Sequence, residues 1–314
     1  MSSLYMIENQ DRVGGAPQRA RSYAASRLGF HYFPDTLHYR DSDLETWLPE
    51  LQSLGAAWLT MLAPSNRAIP EPFIRSLLVA GIQPLLHFHL NIHNPPNLEE
   101  MRFLLETYSR WGVRYVILYD RPNLRENWQA AAWTQDNLVE RFLDVYLPLA
   151  EAALQVGLIP VFPPLEPGGD YWDTAFLRAA LQAIQRRGYH QLLDQLVLGA
   201  YAWVSNRPVT WGAGGPEHWP AARPYETPAG SEDQKGFYIF DWYLAFAETV
   251  LDKRPQIILV GAGCRPGDVA NPGFPPVDLN WHAKTNLTLA RLVCARSIES
   301  LPEGAQPIPI ELSL

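Results

Sequence analysis

This 314-residue sequence has few cysteines, no excess of positive charge and no long apolar runs. Its two cysteines, Cys264 and Cys294, lie far apart and show no C-x-x-C or histidine-rich spacing, which argues against a disulfide framework and a zinc site. The formal net charge of -8 provides no basic stripe for a phosphate backbone, so we expect no nucleic-acid partner. No apolar stretch is long enough to span a bilayer, and we expect no membrane partner.

The N-terminal segment, residues 1–26, is polar and lacks the apolar centre of a secretory signal. We therefore expect a flexible N-terminal tail and a cytoplasmic protein. Hydrophobic residues make up 47% of the whole chain, which is enough for one large core in residues 27–314. We expect these residues to form a single domain.

The clearest pattern in the sequence is an amphipathic helix that ends in glycine and is followed at once by a short apolar run. Four such helices end at Gly55, Gly81, Gly112 and Gly157. Glycine supplies the left-handed conformation that closes a helix, and an apolar run without alternation suits a parallel strand buried on both faces. Alternating helices and strands of this kind predict an α/β fold with a parallel sheet. Ser42 and Glu45 have the spacing of a capping box at the start of the first helix.

Eight apolar runs are candidates for the strands of a (β/α)8 TIM barrel. They are residues 28–33, 56–62, 82–90, 113–119, 158–162, 196–203, 257–261 and, for the last strand, 308–312. Pro307 and Pro309 make the last run a poor interior strand, because proline cannot donate to the ladder. The sequence therefore predicts a barrel with an irregular or incomplete eighth strand. A doubly wound open sheet is the alternative, but the segment after the first strand, residues 33–37, lacks the glycines of a phosphate loop.

Polar and aromatic side chains follow the predicted strands at their C-terminal ends, where α/β barrels place functional groups. They are His31 and Asp35 after the first strand, His87, His89 and Asn91 after the third, Asp120, Arg121 and Asn123 after the fourth, Glu166 after the fifth, Tyr201 and Trp203 after the sixth, and Arg265 and Asp268 after the seventh. Trp211 and Trp219 belong to a Gly-, Pro- and Trp-rich segment, residues 206–235, which we interpret as a structured functional loop.

Two of these strand-end segments resemble motifs of the retaining clan A glycoside hydrolases. Residues 116–123, which include Tyr-Asp-Arg-Pro-Asn, are similar to the Trp-Asn-Glu-Pro-Asn signature whose glutamate is the acid/base. Residues 258–267 are similar to the Thr-Glu-x-Gly-x motif whose glutamate is the nucleophile. The resemblance extends from about Leu28 to Leu292 and implies a TIM barrel that handles carbohydrate. It places Arg121 at the acid/base position and Gly261 at the nucleophile position.

Both replacements fall on the chemistry of glycoside cleavage. Retaining hydrolysis needs two carboxyl groups about 5 to 5.5 Å apart, one to protonate the leaving oxygen and one to attack the anomeric carbon. Arginine stays protonated and glycine has no side chain, so neither residue can take these roles. The resemblance therefore implies a catalytically silent relative, a pseudoenzyme that keeps a groove for an oligosaccharide or polysaccharide and needs no cofactor.

In this interpretation aromatic faces stack on sugar rings and polar groups hydrogen-bond sugar hydroxyls. The expected contacts are His31, His87, His89, Arg121, Asn123, Tyr201, Trp203, Trp211, Trp219, Arg265 and Asp268. Ordinary packing inside a barrel explains the tryptophans equally well. The guanidinium of Arg265 also suits an anionic sugar or a phosphate, and a turn closed by an Arg265–Asp268 pair is the competing explanation.

An active glycosidase with relocated carboxylates is the first alternative. Asp120 and Glu166 leave neighbouring strands, which lie about 5 Å apart, so their side chains could act together as acid and base. The competing interpretation is that Glu166 caps a loop and that Asp120 pairs with Arg121 or Arg125.

A metal-dependent hydrolase is the second alternative. His87 and His89 are two residues apart and therefore point the same way from an extended strand, with His31 and His93 as possible neighbours. Further ligands on later strands are not evident from the sequence, so we expect these histidines to be hydrogen-bonded barrel residues and expect no metal.

Overall fold

The computed structural model describes residues 27–294 and the short strand at residues 312–313, and it forms an α/β barrel. The strands are β1 (Gly29–His31), β2 (Trp58–Leu62), β3 (Gln83–His87), β4 (Tyr115–Ile117), β5 (Ile159–Phe162), β6 (Val197–Trp203), β7 (Gln256–Gly263) and β8 (Leu312–Ser313). They pair in parallel in the order of the sequence. The predicted TIM-barrel fold is confirmed.

Helices connect the strands and pack around them. They are α1 (Asp41–Ser53), α2 (Glu71–Val79), α3 (Leu98–Arg110), α4 (Ala130–Trp133), α5 (Leu138–Gln155), α6 (Asp173–Arg186), α7 (His190–Asp194), α8 (Gly215–His218), α9 (Ile239–Leu251) and α10 (Leu279–Cys294). A 3-10 turn at Arg125–Asn127 and the single-turn helices α4 and α8 interrupt the long connections after β4 and β6. Within the described part of the chain, none of the helices has both the length and the apolar character needed to cross a membrane.

The seam between the last and first strands is the least regular part of the barrel. β8 is two residues long and pairs with β7, with Leu312 opposite Ile257 and Ser313 opposite Ile258. Among the residues that the structure describes, no ladder joins β8 to β1. An irregular eighth strand was predicted, although the pairing lies at the end of the predicted run. Residues 308–311 of that run, and the predicted tail at residues 1–26, lie outside the described residues.

Apolar side chains fill the barrel and the layer between its strands and helices. The interior cluster takes one residue or two from most strands, among them Leu85, Ile117, Val161, Tyr201 and Val260, all buried. The larger outer cluster packs the opposite faces of the strands against the helices. Because successive strand residues point to opposite faces, a strand buried on both sides reads as an unbroken apolar run, as predicted.

The ends of the helices explain how the chain turns into each strand. Gly55, Gly81, Gly112 and Gly157 have φ values of +70°, +79°, +98° and +87°, so these glycines close their helices in the left-handed conformation as predicted. The predicted start of the first helix is wrong by two residues. α1 begins at Asp41, and the Asp43 carboxylate accepts the backbone N–H of Arg40 at 3.0 Å, so the cap forms before Ser42.

Candidate functional site

Asp120 is the centre of a hydrogen-bonded network at the C-terminal mouth of the barrel. Its Oδ1 accepts a hydrogen bond from the Tyr201 hydroxyl at 2.7 Å, and its Oδ2 accepts one from Arg121 Nε at 2.8 Å. The Nε2 atom of His87 lies 3.7 Å from Oδ1. The Asp120 side chain is only 8% exposed. Side chains from the ends of β3, β4 and β6 therefore converge on one buried carboxylate.

The environment keeps Asp120 ionised and Tyr201 protonated. Burial raises the pKa of Asp120, but His87, the Tyr201 hydroxyl and Arg121 together outweigh burial and leave the pKa below its usual value. Burial raises the pKa of Tyr201 far above its usual value, and the negative charge of Asp120 raises it further. At neutral pH the Tyr201 hydroxyl therefore stays protonated and donates its hydrogen bond to an ionised Asp120 carboxylate.

Glu166 lies beyond β5, on the other side of Arg121 from Asp120. Arg121 Nη1 is 3.6 Å from Glu166 Oε2, so one guanidinium lies between the two carboxylates. Burial raises the pKa of Glu166, and this effect exceeds the opposing effect of Arg121. The pKa values of Asp120 and Glu166 are thus moved in opposite directions, which is what an acid and a base working at a common pH require.

The turn that carries Arg121 has an unusual backbone conformation. Arg121 has a φ of +41°, a conformation that costs a non-glycine residue about 1 to 2 kcal/mol. Its backbone N–H donates to the carbonyl of Pro164 at 3.0 Å, and the Asn127 side chain donates to the carbonyls of Asp120 and Arg121 at 3.1 and 2.8 Å. These bonds hold the turn in place and keep the guanidinium between the two carboxylates.

Asn123 positions Glu166 and has no side-chain atom to spare for a sugar. It is fully buried, and its Oδ1 accepts the backbone N–H of Glu166 at 2.8 Å. Its Nδ2 donates to the carbonyls of Glu166 and Tyr171, both at 2.9 Å. A Cβ at Gly169 would lie 2.5 Å from this Nδ2, so glycine is needed for the close approach. The structure gives Asn123 a structural part in place of the predicted sugar contact.

Trp203 lies where a nucleophile at position 261 would need space. β6 and β7 pair with a register shift between Ala200 and Tyr201, which puts Tyr201 opposite Gly261. A Cβ on Gly261 would lie 2.6 Å from Cη2 of Trp203. The indole stacks on the Tyr201 ring with 5.1 Å between centroids and 14° between planes. A glutamate at position 261 would therefore require Trp203 to leave this stack.

A cleft of about 620 Å³ opens beside the network, and charged side chains line its wall. Its charged lining consists of Arg121, Glu166, Arg207, Lys235, Arg265 and Asp268. Two of the four cations are paired, because Asp120 bonds Arg121 and the Asp233 carboxylate lies 2.7 Å from Lys235 Nζ. The other two are arginines, and a guanidinium without an ion pair suits an anionic ligand group.

Two of the cleft arginines have no ion pair among the described residues. Arg207 is 7% exposed, its Nε has no hydrogen-bond partner, and its guanidinium lies 5.8 Å from the ring centroid of Trp211. The guanidinium of Arg265 lies 5.9 Å from the Trp203 ring centroid. Asp268 Oδ2 accepts the backbone N–H of Arg265 at 2.9 Å, so the predicted Arg265–Asp268 turn exists but leaves the guanidinium unpaired.

Three histidines lie near Asp120, as the strand ends predicted. The rings of His87 and His89 meet edge to face with 4.4 Å between centroids, and His31 Nε2 donates to the carbonyl of Val260. Full burial lowers the pKa of His87 to about 3, and partial removal from water lowers the pKa of His31 and His89, which remain exposed, so all three are mainly neutral at pH 7. The ring of His93 lies edge-on to Trp128 with 5.9 Å between centroids.

The two loop tryptophans serve the packing of segment 206–235. Trp211 Nε1 donates to Asp233 at 2.9 Å and Trp219 Nε1 donates to the carbonyl of Ala213 at 3.0 Å. Trp219 packs against the outer core, and the structure does not bring it to the cleft. Arg207 and Lys235, which do line the cleft, were missed. Their position in the segment interpreted as a functional loop was the one signal that could have found them.

No protein-family model matches the sequence, and a search of curated proteins finds no match. Among solved structures, the barrel is similar to ScGas2 in complex with compound 7, with a TM-score of 0.43 and 12% identity over 76% of this chain and 49% of that one. The chain thus spans about half the length of ScGas2.

Two further solved structures are similar to this chain at the same level. An endocellulase from Pyrococcus horikoshii in complex with cellotetraose has a TM-score of 0.41 and 16% identity, covering 78% of this chain and 77% of that one. An L-ribulose 3-epimerase has a TM-score of 0.41 and 12% identity, covering 89% of this chain and 99% of that one. The assignment of a TIM barrel to this chain rests on its own strand order.

Proposed function

We propose that the mouth of this barrel binds an oligosaccharide or polysaccharide and does not carry out two-glutamate retaining hydrolysis. The single observation that carries this proposal is the Trp203 indole lying against Gly261, where a nucleophilic carboxylate would have to stand. The other catalytic position holds Arg121, which is ion-paired on both sides and cannot release a proton to a leaving group.

The lining of the cleft supports a saccharide ligand. Trp203 lies on the cleft wall with Tyr201 stacked on it, which fixes the orientation of a large aromatic surface. An aromatic face in a cleft matches the apolar face of a sugar ring, and charged groups around it suit the hydroxyls. Glu166 and Asp268 supply acceptors on the same wall, while Arg121 and Arg265 supply donors.

Two arginines of the cleft favour a saccharide that carries an acidic group. Neither Arg207 nor Arg265 forms an ion pair in the described part of the chain, although the negative charge of Asp233 acts on Arg207, and both arginines line the cleft. A guanidinium forms paired hydrogen bonds with a carboxylate or sulfate group, so a uronic acid or a sulfated sugar satisfies both arginines better than a neutral sugar does.

A binding and hydrolysis screen tests the proposal. The purified chain is titrated with neutral, uronate-containing and sulfated oligosaccharides by calorimetry, and the same mixtures are assayed for new reducing ends. We expect binding without cleavage. We expect Trp203→Leu to weaken binding up to about tenfold, since a stacked aromatic face contributes about 0.5 to 1.5 kcal/mol and about 1.4 kcal/mol is a tenfold change in affinity.

Trp111→Leu is the matched control for this screen. Trp111 follows α3 directly and precedes β4, so it lies at the end of the barrel opposite the cleft. We expect Trp111→Leu to leave saccharide affinity unchanged. A panel in which no saccharide binds the folded wild-type chain would refute the proposal.

A glycosidase that uses Asp120 and Glu166 is the second candidate, and the opposite displacement of their pKa values favours it. In that mechanism Glu166, with the raised pKa, donates the proton, and ionised Asp120 acts as base or nucleophile. The discriminating result is the release of reducing ends by the wild type and its loss in both Glu166→Gln and Asp120→Asn. Binding with no release in any of the three proteins leaves the first proposal standing.

A further inference from the structure

We propose that His87, His89 and Asp120 form a site for one divalent transition-metal cation at the mouth of the barrel. The sequence pointed to the two histidines with His31 and His93 as possible neighbours, and the structure instead brings Asp120 to them from the end of the next strand. One ligand atom from each residue lies within 4.8 Å of the other two. Two imidazole nitrogens and a carboxylate oxygen are a ligand set typical of Zn²⁺, Fe²⁺ and Mn²⁺.

The spacing of the two buried ligand atoms suits a shared cation. His87 Nε2 and Asp120 Oδ1 are 3.7 Å apart, which is too long for a hydrogen bond. Two atoms that each lie about 2.1 Å from one metal ion are roughly 3 to 4 Å apart, depending on the angle at the metal. The observed separation falls within this range without any movement of the backbone.

The hydrogen bonding of His87 leaves Nε2 available as a ligand. The side chain is 4% exposed, and Nε2 has no hydrogen-bond partner among the described residues. In the tautomer that carries its proton on Nδ1, the ring presents the Nε2 lone pair, which is the arrangement of metal-binding histidines in general.

The Nε2 atom of His87 is also a buried polar atom that lacks a partner in the described part of the chain, and such an atom is unfavourable in a protein interior. A cation bound to both Nε2 and Asp120 Oδ1 gives Nε2 the partner that it lacks.

The groups around the site leave room for coordination. Arg121 bonds Oδ2 of Asp120 and not Oδ1, and a carboxylate oxygen has a second lone pair beside the one that accepts from Tyr201. His89 is exposed, so the site is open to solvent on that side. Three protein ligands leave coordination positions for water or for hydroxyl and carboxylate oxygens of a ligand.

The test uses an untagged chain carrying Cys294→Ser, because the exposed Cys294 thiol is itself a soft metal ligand. The protein is treated with a chelator, exchanged into metal-free buffer and titrated with Zn²⁺ by calorimetry. A separate metal-free sample is titrated with Co²⁺, whose visible absorption reports the coordination geometry. We expect one equivalent of Zn²⁺ per chain and Co²⁺ bands of a low-coordinate nitrogen–oxygen site.

Variants identify the ligands. We expect His89→Gln and Asp120→Asn to weaken Zn²⁺ binding at least tenfold. His190→Gln is the matched control, because His190 is exposed at the start of α7 and α7 leads into the opposite end of β6, so this change should leave affinity unaltered. His89 is exposed and its replacement threatens the fold least, so the test does not depend on a variant of buried His87.

Two results would overturn the metal site: no stoichiometric Zn²⁺ or Co²⁺ binding by the folded chain, or binding that His89→Gln leaves unchanged. Saccharide binding is measured separately in the metal-free protein. Metal binding without saccharide affinity would refute the proposed function and support the metal site. Saccharide affinity without metal binding would support the proposed function and refute the metal site.

Discussion

Gly261 leaves the space that the Trp203 indole fills, and a single added methyl group tests whether this contact shapes the cleft. The Cβ of Gly261→Ala would stand 2.6 Å from Cη2 of Trp203, against about 3.5 to 4.0 Å for an ordinary carbon contact. Gly261 does not have a positive φ, so alanine introduces no backbone strain. The effect of the substitution is therefore steric.

The expected magnitude follows from what must move. The indole has to shift by about 1 Å, which weakens its stack on Tyr201 and its contact with Arg265, contacts worth about 0.5 to 1.5 and 0.5 to 1 kcal/mol. Overpacking of a filled site costs about 1 to 3 kcal/mol in all. We expect Gly261→Ala to lower the free energy of unfolding by that amount and to weaken saccharide binding.

A double-mutant cycle in urea denaturation, followed by far-UV circular dichroism, isolates the contact. Trp203→Phe removes the outer ring atoms that the new methyl group meets, so Gly261→Ala should cost at least about 1 kcal/mol less in that background. Gly199→Ala is the control, because its Cβ would meet the backbone carbonyl of Phe162 at 2.8 Å, and its cost should not depend on Trp203. A Gly261→Ala cost that is equal in both backgrounds would refute the proposed steric role of Trp203.

Three further predictions concern charges. Burial raises the pKa of Asp173, so this group contributes stability below its unfolded pKa and loses it as the pH rises through the folded value; Asp173→Asn should increase the urea-measured free energy of unfolding at pH 7 and change it less near pH 4. Burial raises the pKa of Asp233, but the hydrogen bonds from Lys235 and its other partners have the larger effect, so the pKa lies below its usual value. This group therefore contributes stability above its unfolded pKa and loses it as the pH falls through the folded value. Asp233→Asn should lower the free energy of unfolding by about 1 to 3 kcal/mol at pH 7 and by less as the pH falls below about 4. Arg265→Gln should weaken calorimetric binding of uronate-containing oligosaccharides about tenfold and that of neutral ones much less.

Each of these predictions has a result that contradicts it. An Asp173→Asn variant less stable than the wild type at pH 7 would show that the carboxylate is needed in its charged form. A cost of Asp233→Asn that is as large at pH 3 as at pH 7 would place its effect in packing and not in charge. Equal losses of neutral and acidic saccharides in Arg265→Gln would remove the charge preference of the cleft.

Local patterns predicted most of the barrel because its building blocks are local. A glycine after an amphipathic helix and an apolar run after the glycine depend only on neighbouring residues, and β1 to β6 lie inside the predicted runs. β7 extends beyond its predicted run at both ends, to Gln256 and Gly263. The start of α1 was misplaced because several acidic residues there have cap spacing, and the choice of Asp43 depends on where the chain arrives from β1.

The barrel topology also made part of the site predictable. Parallel strands in sequence order bring their C-terminal ends to one mouth, so His87, Asp120, Arg121, Glu166 and Tyr201 meet there as predicted. The hydrogen bonds of Asn123 and Trp219 within the fold were not predictable. Asparagine and tryptophan residues that follow a strand are used both for packing and for ligand binding, and the sequence does not distinguish the two.

The sequence by itself determined the alternation of helices and strands, the irregular last strand and the presence of Arg121 and Gly261 at two strand ends, because these are properties of single positions and short segments. Only the tertiary structure decided that Trp203 lies against Gly261, that Asp120 lies beside His87 and His89, and that Arg207 and Arg265 share a cleft. These facts depend on the register between β6 and β7 and on which side chains compete for the same space, and residues far apart in the chain settle both.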